Sequence, residues 1–174
     1  MSKLDNATRI LIDHFQPDVV IYLASSVKGP VSGWAMVVSD KRDGSRGTSW
    51  GNYSNVDFPG STAPAILAVG TALGYVTAHG LRAVILLEDR WLRDWLSGLG
   101  TLQKPEWQRV DAIQKMLLNL RDQVVFFPIS RHRNQAAVDA AEFAANFPDV
   151  GFPYPKWVPG FPIPNFLSRE DFSQ

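Results

Sequence analysis

Side chains able to do charge-based chemistry are few in this chain. Asp89, with Glu88 beside it, closes the apolar run Ala83–Leu87, and Asp139 stands one helical turn before Glu142 in an alanine-rich stretch. Carboxylate oxygens are the ligands that hard divalent cations prefer, which makes Asp89 and Asp139 the weak metal candidates. A carboxylate at the carboxyl end of a strand also lies where open α/β sheets place their sites. Each has an ordinary alternative: Asp89 as the cap of a helix starting before Trp91, and Asp139 with Glu142 as favourable charges near the amino end of a helix. Neighbouring strand residues point to opposite faces, so Glu88 is not expected to stand in for Asp89. His132 lies between Arg131 and Arg133. With Arg90 and Arg93 these arginines form either a local basic patch or a solvated, partly paired surface. His14 and His79 read as surface residues.

The elements that must position these groups follow from the apolar pattern. Residues 19–23 are continuously apolar, as expected of a strand covered on both faces. Lys28-Gly29-Pro30 is a turn signal into a second, antiparallel strand over 33–38, and the polar stretch 40–47 turns into a third over 48–52. Ser61 or Thr62 caps a helix beginning near Pro64, where the missing N–H of proline has no partner to lose. Ile66, Val69, Leu73 and Val76 repeat at helical spacing until Gly80. A crossover then sets Ala83–Leu87 parallel to the first strand. Residues 91–99 read as a short helix, and a longer one follows Pro105 with Val110, Ile113, Leu117 and Leu120 along one face. Residues 124–127 supply a fifth strand, and Ala136, Ala140, Phe143, Ala144 and Phe147 mark a last helix. The order βββαβαβα predicts an α/β fold with a five-stranded mixed sheet, three strands antiparallel and then two parallel, with helices on both faces.

Two appendages flank this domain of residues 18–147. Residues 1–17, with Ile10, Leu11 and Phe15 at helical spacing, predict a short extra helix packed on the sheet or on a neighbour. In 148–174, Pro148, Pro153, Pro155, Pro159, Pro162 and Pro164 alternate with Phe152, Tyr154, Trp157, Phe161 and Phe166. Proline at that density predicts an extended tail, and aromatics are costly to leave in water. The tail is therefore either a strap over its own domain or a peptide docking on a partner, with Trp157, Tyr154 and Phe161 as the contact residues. Trp34, Trp95 and Trp107 fall on predicted core faces, whereas Trp50 lies in an edge strand.

At 174 residues and 45% hydrophobic content the chain can bury one domain core. Seventeen basic and seventeen acidic residues balance, so total charge does not draw it to a polyanion or an acidic membrane. The absence of cysteine excludes disulfides and thiolate metal sites and fits the cytoplasm or another reducing intracellular compartment. No run of about 18 apolar residues and no leader is present, so no membrane association is expected.

Tyr22-Leu23-Ala24-Ser25-Ser26, the turn 28–30 leading to Gly33-Trp34-Ala35, and Pro64-Ala65-Ile66-Leu67-Ala68-Val69 recur with Leu87-Glu88-Asp89-Arg90, Trp107-Gln108-Arg109-Val110-Asp111 and Ser130-Arg131-His132 through Asn134 and Asp139. In this order and spacing they resemble ribonuclease H of type 1, over about residues 18–147, which implies a ribonuclease H-like fold. That family hydrolyses a phosphodiester with two Mg²⁺ ions held by four acids. The resemblance places those acids at Ala24, Ala65, Asp89 and on or near Asp139, with His132 at the family's mobile histidine. Two of the four are thus alanine. What the resemblance implies is a catalytically degenerate member without a cofactor, a subunit acting through protein contacts. The alternatives are a module that binds RNA or an RNA/DNA hybrid without cleavage, through Arg90, Arg93, Arg131, Arg133, Ser61 and Thr62, and a Mg²⁺-dependent nuclease whose acids have moved. Oligomeric state is left open.

Overall fold

A computed structural model describes residues 4–54, 63–88, 93, 113, 117–120, 122–146 and 156–157. Its centre is a mixed sheet of β1 (Val19–Lys28), β2 (Val31–Asp40), β3 (Arg46–Ser54), β4 (Ala83–Leu87) and β5 (Val124–Pro128). A two-residue β6 (Lys156–Trp157) joins its edge, giving the order β5-β4-β1-β2-β3-β6. β1, β2 and β3 form the expected antiparallel meander, and β4 and β5 add in parallel. All five residues of β4 are buried, which accounts for its unbroken apolar run. β1 and β2 are each ten residues long, because Ser25 to Lys28 go on pairing with Trp34 to Val31 after the apolar run has ended.

The helices α1 (Asn6–Phe15), α2 (Ala63–His79) and α3 (Gln135–Asn146) cover both faces of the sheet. Ile66, Val69, Leu73 and Val76 of α2 pack on Ile21, Leu23, Met36 and Ile85. On the opposite face Ala137, Val138 and Ala141 of α3 meet Ala24, Ala35 and Val37. Small residues on both sides let α3 sit low: a methyl on Gly33 of β2 would lie 2.7 Å from the Ala145 backbone nitrogen and nearer still to the Ala141 carbonyl oxygen. Asn52, fully buried in β3, donates from Nδ2 to the Ala144 carbonyl at 2.8 Å and fixes the far end of the helix.

α1 shares this face, over β1 and β4, but turns differently from the expected arrangement. Thr8 and Ile12 are buried and Phe15 is half-buried, while Ile10 is 67% and Leu11 48% exposed. Asp5 caps the helix by accepting from the Thr8 backbone N–H at 2.8 Å. Its carboxyl end is held by Arg82, whose Nε donates to the Phe15 carbonyl at 2.8 Å and whose Nη1 donates to the Asp122 carbonyl at 2.7 Å. The same guanidinium lies 3.7 Å over the Phe15 ring. None of the described helices is long and apolar enough to cross a membrane.

The helices expected over 91–99 and after Pro105 lie almost wholly outside the described residues; of them, Ile113 and Leu120 are buried in the α2-side core and Leu117 packs against it. Trp34 is fully buried, and Trp95 and Trp107 lie outside the described residues. Trp50 is half-buried and meets the Phe143 ring edge-on, centroids 6.1 Å apart.

Candidate functional site

A small pocket opens where β1, β4 and α2 converge, lined by Leu23, Ala24, Ser25, Ala65, Ala68, Leu87 and Glu88. The geometry comes from the parallel pairing of β1 and β4. Tyr22 lies opposite Leu86, so two residues further on Ala24 lies beside Glu88, on one face. Ala24 and Ala65 are each 4% exposed and present methyl groups to the pocket. Among the described lining residues, Glu88 brings the one carboxylate. Glu88, not expected from the sequence to stand in for Asp89, lines this pocket on the Ala24 side, while Asp89 lies outside the described residues.

Burial pushes the Glu88 carboxyl above the ordinary carboxylate range, an effect partly opposed by the nearby Arg131 guanidinium. Arg131 Nη1 lies 3.4 Å from Glu88 Oε2, and Nη2 lies 3.2 Å from Glu142 Oε1. One cation thus joins the end of β4 to α3 across the rim of the pocket. The Arg131 side chain is half exposed, so these pairs add little stability.

Asn134 supports this arrangement and was a weak signal in the sequence. It is buried, and its Nδ2 donates to the Leu23 carbonyl of β1 at 2.7 Å. Its own carbonyl accepts the Val138 N–H, beginning α3, and its N–H donates to the Arg131 carbonyl. The 3-10 turn Arg131–Arg133 is therefore tied to the middle of β1 through one side chain. An asparagine directly before an alanine-rich helix is the pattern that could have marked it.

The remaining described candidates do not line the pocket. Asp139 is exposed and accepts from Gln135 Nε2 at 2.6 Å, within α3. Of the pair one turn apart it is Glu142 that reaches the site, and only through Arg131. His132 is exposed on the 3-10 turn, and Arg93 and Arg133 are half-buried. Asp89, Arg90, Ser61, Thr62, Tyr154 and Phe161 lie outside the described residues; of Trp157 the backbone is placed, opposite Ser49. Among the described residues no three His, Asp or Glu side chains come together as a metal site. Among the described residues, the one carboxylate, the Ser25 hydroxyl and the two methyls that line the pocket do not fit a pair of Mg²⁺ ions.

No family model and no curated protein sequence matches this chain. Solved structures do match. The N-terminal ribonuclease H domain of a Mycobacterium tuberculosis protein, solved as a fusion with maltose-binding protein, aligns with a TM-score of 0.62 at 17% identity, over 76% of this chain and 96% of that one. LC11 ribonuclease H1 in complex with an RNA/DNA hybrid gives 0.58 at 17% identity, over 74% and 96%. The protease–reverse transcriptase of prototype foamy virus gives 0.56 at 16% identity, over 75% of this chain and 21% of that one.

Proposed function

The chain has a ribonuclease H-like fold, and we propose that it serves as a non-catalytic module of that fold, working through protein contacts within a larger assembly. The observation that carries this reading is the pair of buried methyls, Ala24 and Ala65, lining the pocket between the middle of β1, the end of β4 and α2. Two divalent cations held close together need several carboxylates to offset their repulsion. Glu88 is the one carboxylate that lines the pocket among the described residues, and Arg131 already partners it. The fixed guanidinium also opposes entry of a cation at the rim. The exposed Ile10 and Leu11 of α1 are apolar surface on the same side of the sheet as α3.

The test is incubation of the full chain with an RNA/DNA hybrid in Mg²⁺ or Mn²⁺. No cleavage is expected. Metal-dependent cleavage that disappears in Asp89→Asn overturns the proposal and makes the protein a nuclease. Salt-dependent hybrid binding without cleavage would instead make nucleic acid, and not protein, the ligand of this module.

A further inference from the structure

The geometry points to an interaction surface along the β4-side edge of β1 over Ser25–Lys28, where an extended peptide of a partner protein adds as a strand. This deepens the reading of the chain as a protein-contact module and rests on it. The direction of each backbone group along β1 follows from two observed bonds. The Val19 N–H donates to the carbonyl of Arg82, just before β4, at 3.2 Å, and the Leu23 carbonyl accepts from Asn134 Nδ2 at 2.7 Å. Bonding sides alternate along a strand, so the odd positions of β1 face β4 and the even ones face β2. The last pair with β4 is Tyr22 with Leu86, whereas pairing with β2 runs on to Lys28 opposite Val31. Beyond Leu23, whose carbonyl Asn134 closes, the N–H and C=O of Ser25 and Val27 point to the β4 side. Among the described residues no strand lies opposite them.

The outer edge of β5 is built differently. The Ala83 N–H donates to the Gln123 carbonyl at 2.7 Å, so the odd residues of β5 face β4, while Val124, Phe126 and Pro128 face outward. The Val124 N–H is already bonded to the Leu120 carbonyl at 3.2 Å, and Pro128 has none to give. Only Phe126 is left as an outward donor, and an edge so depleted resists strand addition. The overhang of β1 has no such guard. Neither Ser25 nor Val27 is proline, Val27 is 49% exposed, and the one charge, Lys28, stands at the hairpin end.

The chemistry of this edge selects a peptide. Its donors and acceptors alternate, so an added strand can meet the N–H and C=O of both residues. Phosphates of a nucleic acid accept only, and would leave both carbonyls unmatched. At the head of the edge lies the pocket lined by the methyls of Ala24, Ala65 and Ala68, which suits a small uncharged side chain. On its rim the carboxylates of Glu88 and Glu142 outnumber the guanidinium of Arg131, a balance unfavourable to a polyanion. The occupant is therefore an extended segment that carries a small apolar residue at the pocket.

Phage-displayed random peptides selected on the full chain test this, with amide exchange as the map. Selected peptides should slow exchange at Ser25 and Val27 and leave Ser26, bonded to β2, as it was. Val27→Pro removes one outward N–H and no bond to β2; it should bind those peptides about tenfold more weakly. Val27→Thr keeps the N–H and should bind as the wild type. Slow exchange at Ile21 and Ile85 shows that each variant is folded. Equal binding by the wild type and Val27→Pro, or a selection that yields no peptide, overturns the inference and leaves the module reading intact. An RNA/DNA hybrid that slows Ser25 and Val27 in place of a peptide overturns both.

Discussion

Replacing Gly33 by alanine tests how α3 is seated. The added methyl would lie 2.7 Å from the Ala145 nitrogen and 3.1 Å from the Ala145 Cβ, and nearer still to the Ala141 carbonyl oxygen. Two of these three atoms are helix backbone, so relief cannot come from a rotamer change. The helix must lift, while Asn52 and Asn134 hold its two ends through the Ala144 and Leu23 carbonyls. Overpacking of a core ordinarily costs about 1–3 kcal/mol, and a clash with a tethered helix belongs at the upper end. With a urea slope of about 2 kcal/mol per molar, the unfolding midpoint should fall by roughly 1.5 M. Gly29→Ala is the comparison, since its methyl meets nothing within 4 Å and only the φ of +61° opposes it; that costs about 1–2 kcal/mol. If Gly33→Ala unfolds at the midpoint of Gly29→Ala or above, the close-approach argument fails.

Two further outcomes follow from the site and from α1. Folding raises the Glu88 carboxyl, chiefly through burial, so the folded state binds that proton more tightly than the unfolded chain. The stability contribution is full at low pH and is lost as pH rises through the raised value; Glu88→Gln should therefore unfold at higher urea than the wild type near pH 7, with the gap closing below about pH 4. Arg82→Ala removes two hydrogen bonds to carbonyls and the ring contact with Phe15. It should weaken α1 docking by about 2–3 kcal/mol, seen as faster amide exchange within Asn6–Phe15 at unchanged exchange in β4.

The sheet was legible wherever burial and sequence periodicity coincide. β4 is buried throughout, so its apolar run could mean little else, and the spacing of Ala136, Ala140, Phe143 and Ala144 marked the last helix. Periodicity failed where the chain is polar yet paired, as at Ser25 to Lys28, and where apolar residues are consecutive. Ile10, Leu11 and Ile12 offer three candidate faces in three residues, and only Ile12 is turned to the sheet. The pocket depends on a relation that local spacing does not contain. That Glu88 stands beside Ala24 depends on the register between strands some sixty residues apart. The alanines at 24 and 65, on which the proposal of a non-catalytic module rests, are by contrast read from the sequence without any coordinates.

The bond from Asn134 to the Leu23 carbonyl spans 111 positions of chain, which bears on how the protein emerges from the ribosome. Until α3 has been synthesised, the meander can form but Ala24, Ala35 and Val37 have no lid, and a carbonyl in the middle of β1 waits for its donor. The nascent protein must carry that bare apolar surface through most of its translation, a period in which self-association competes with completion.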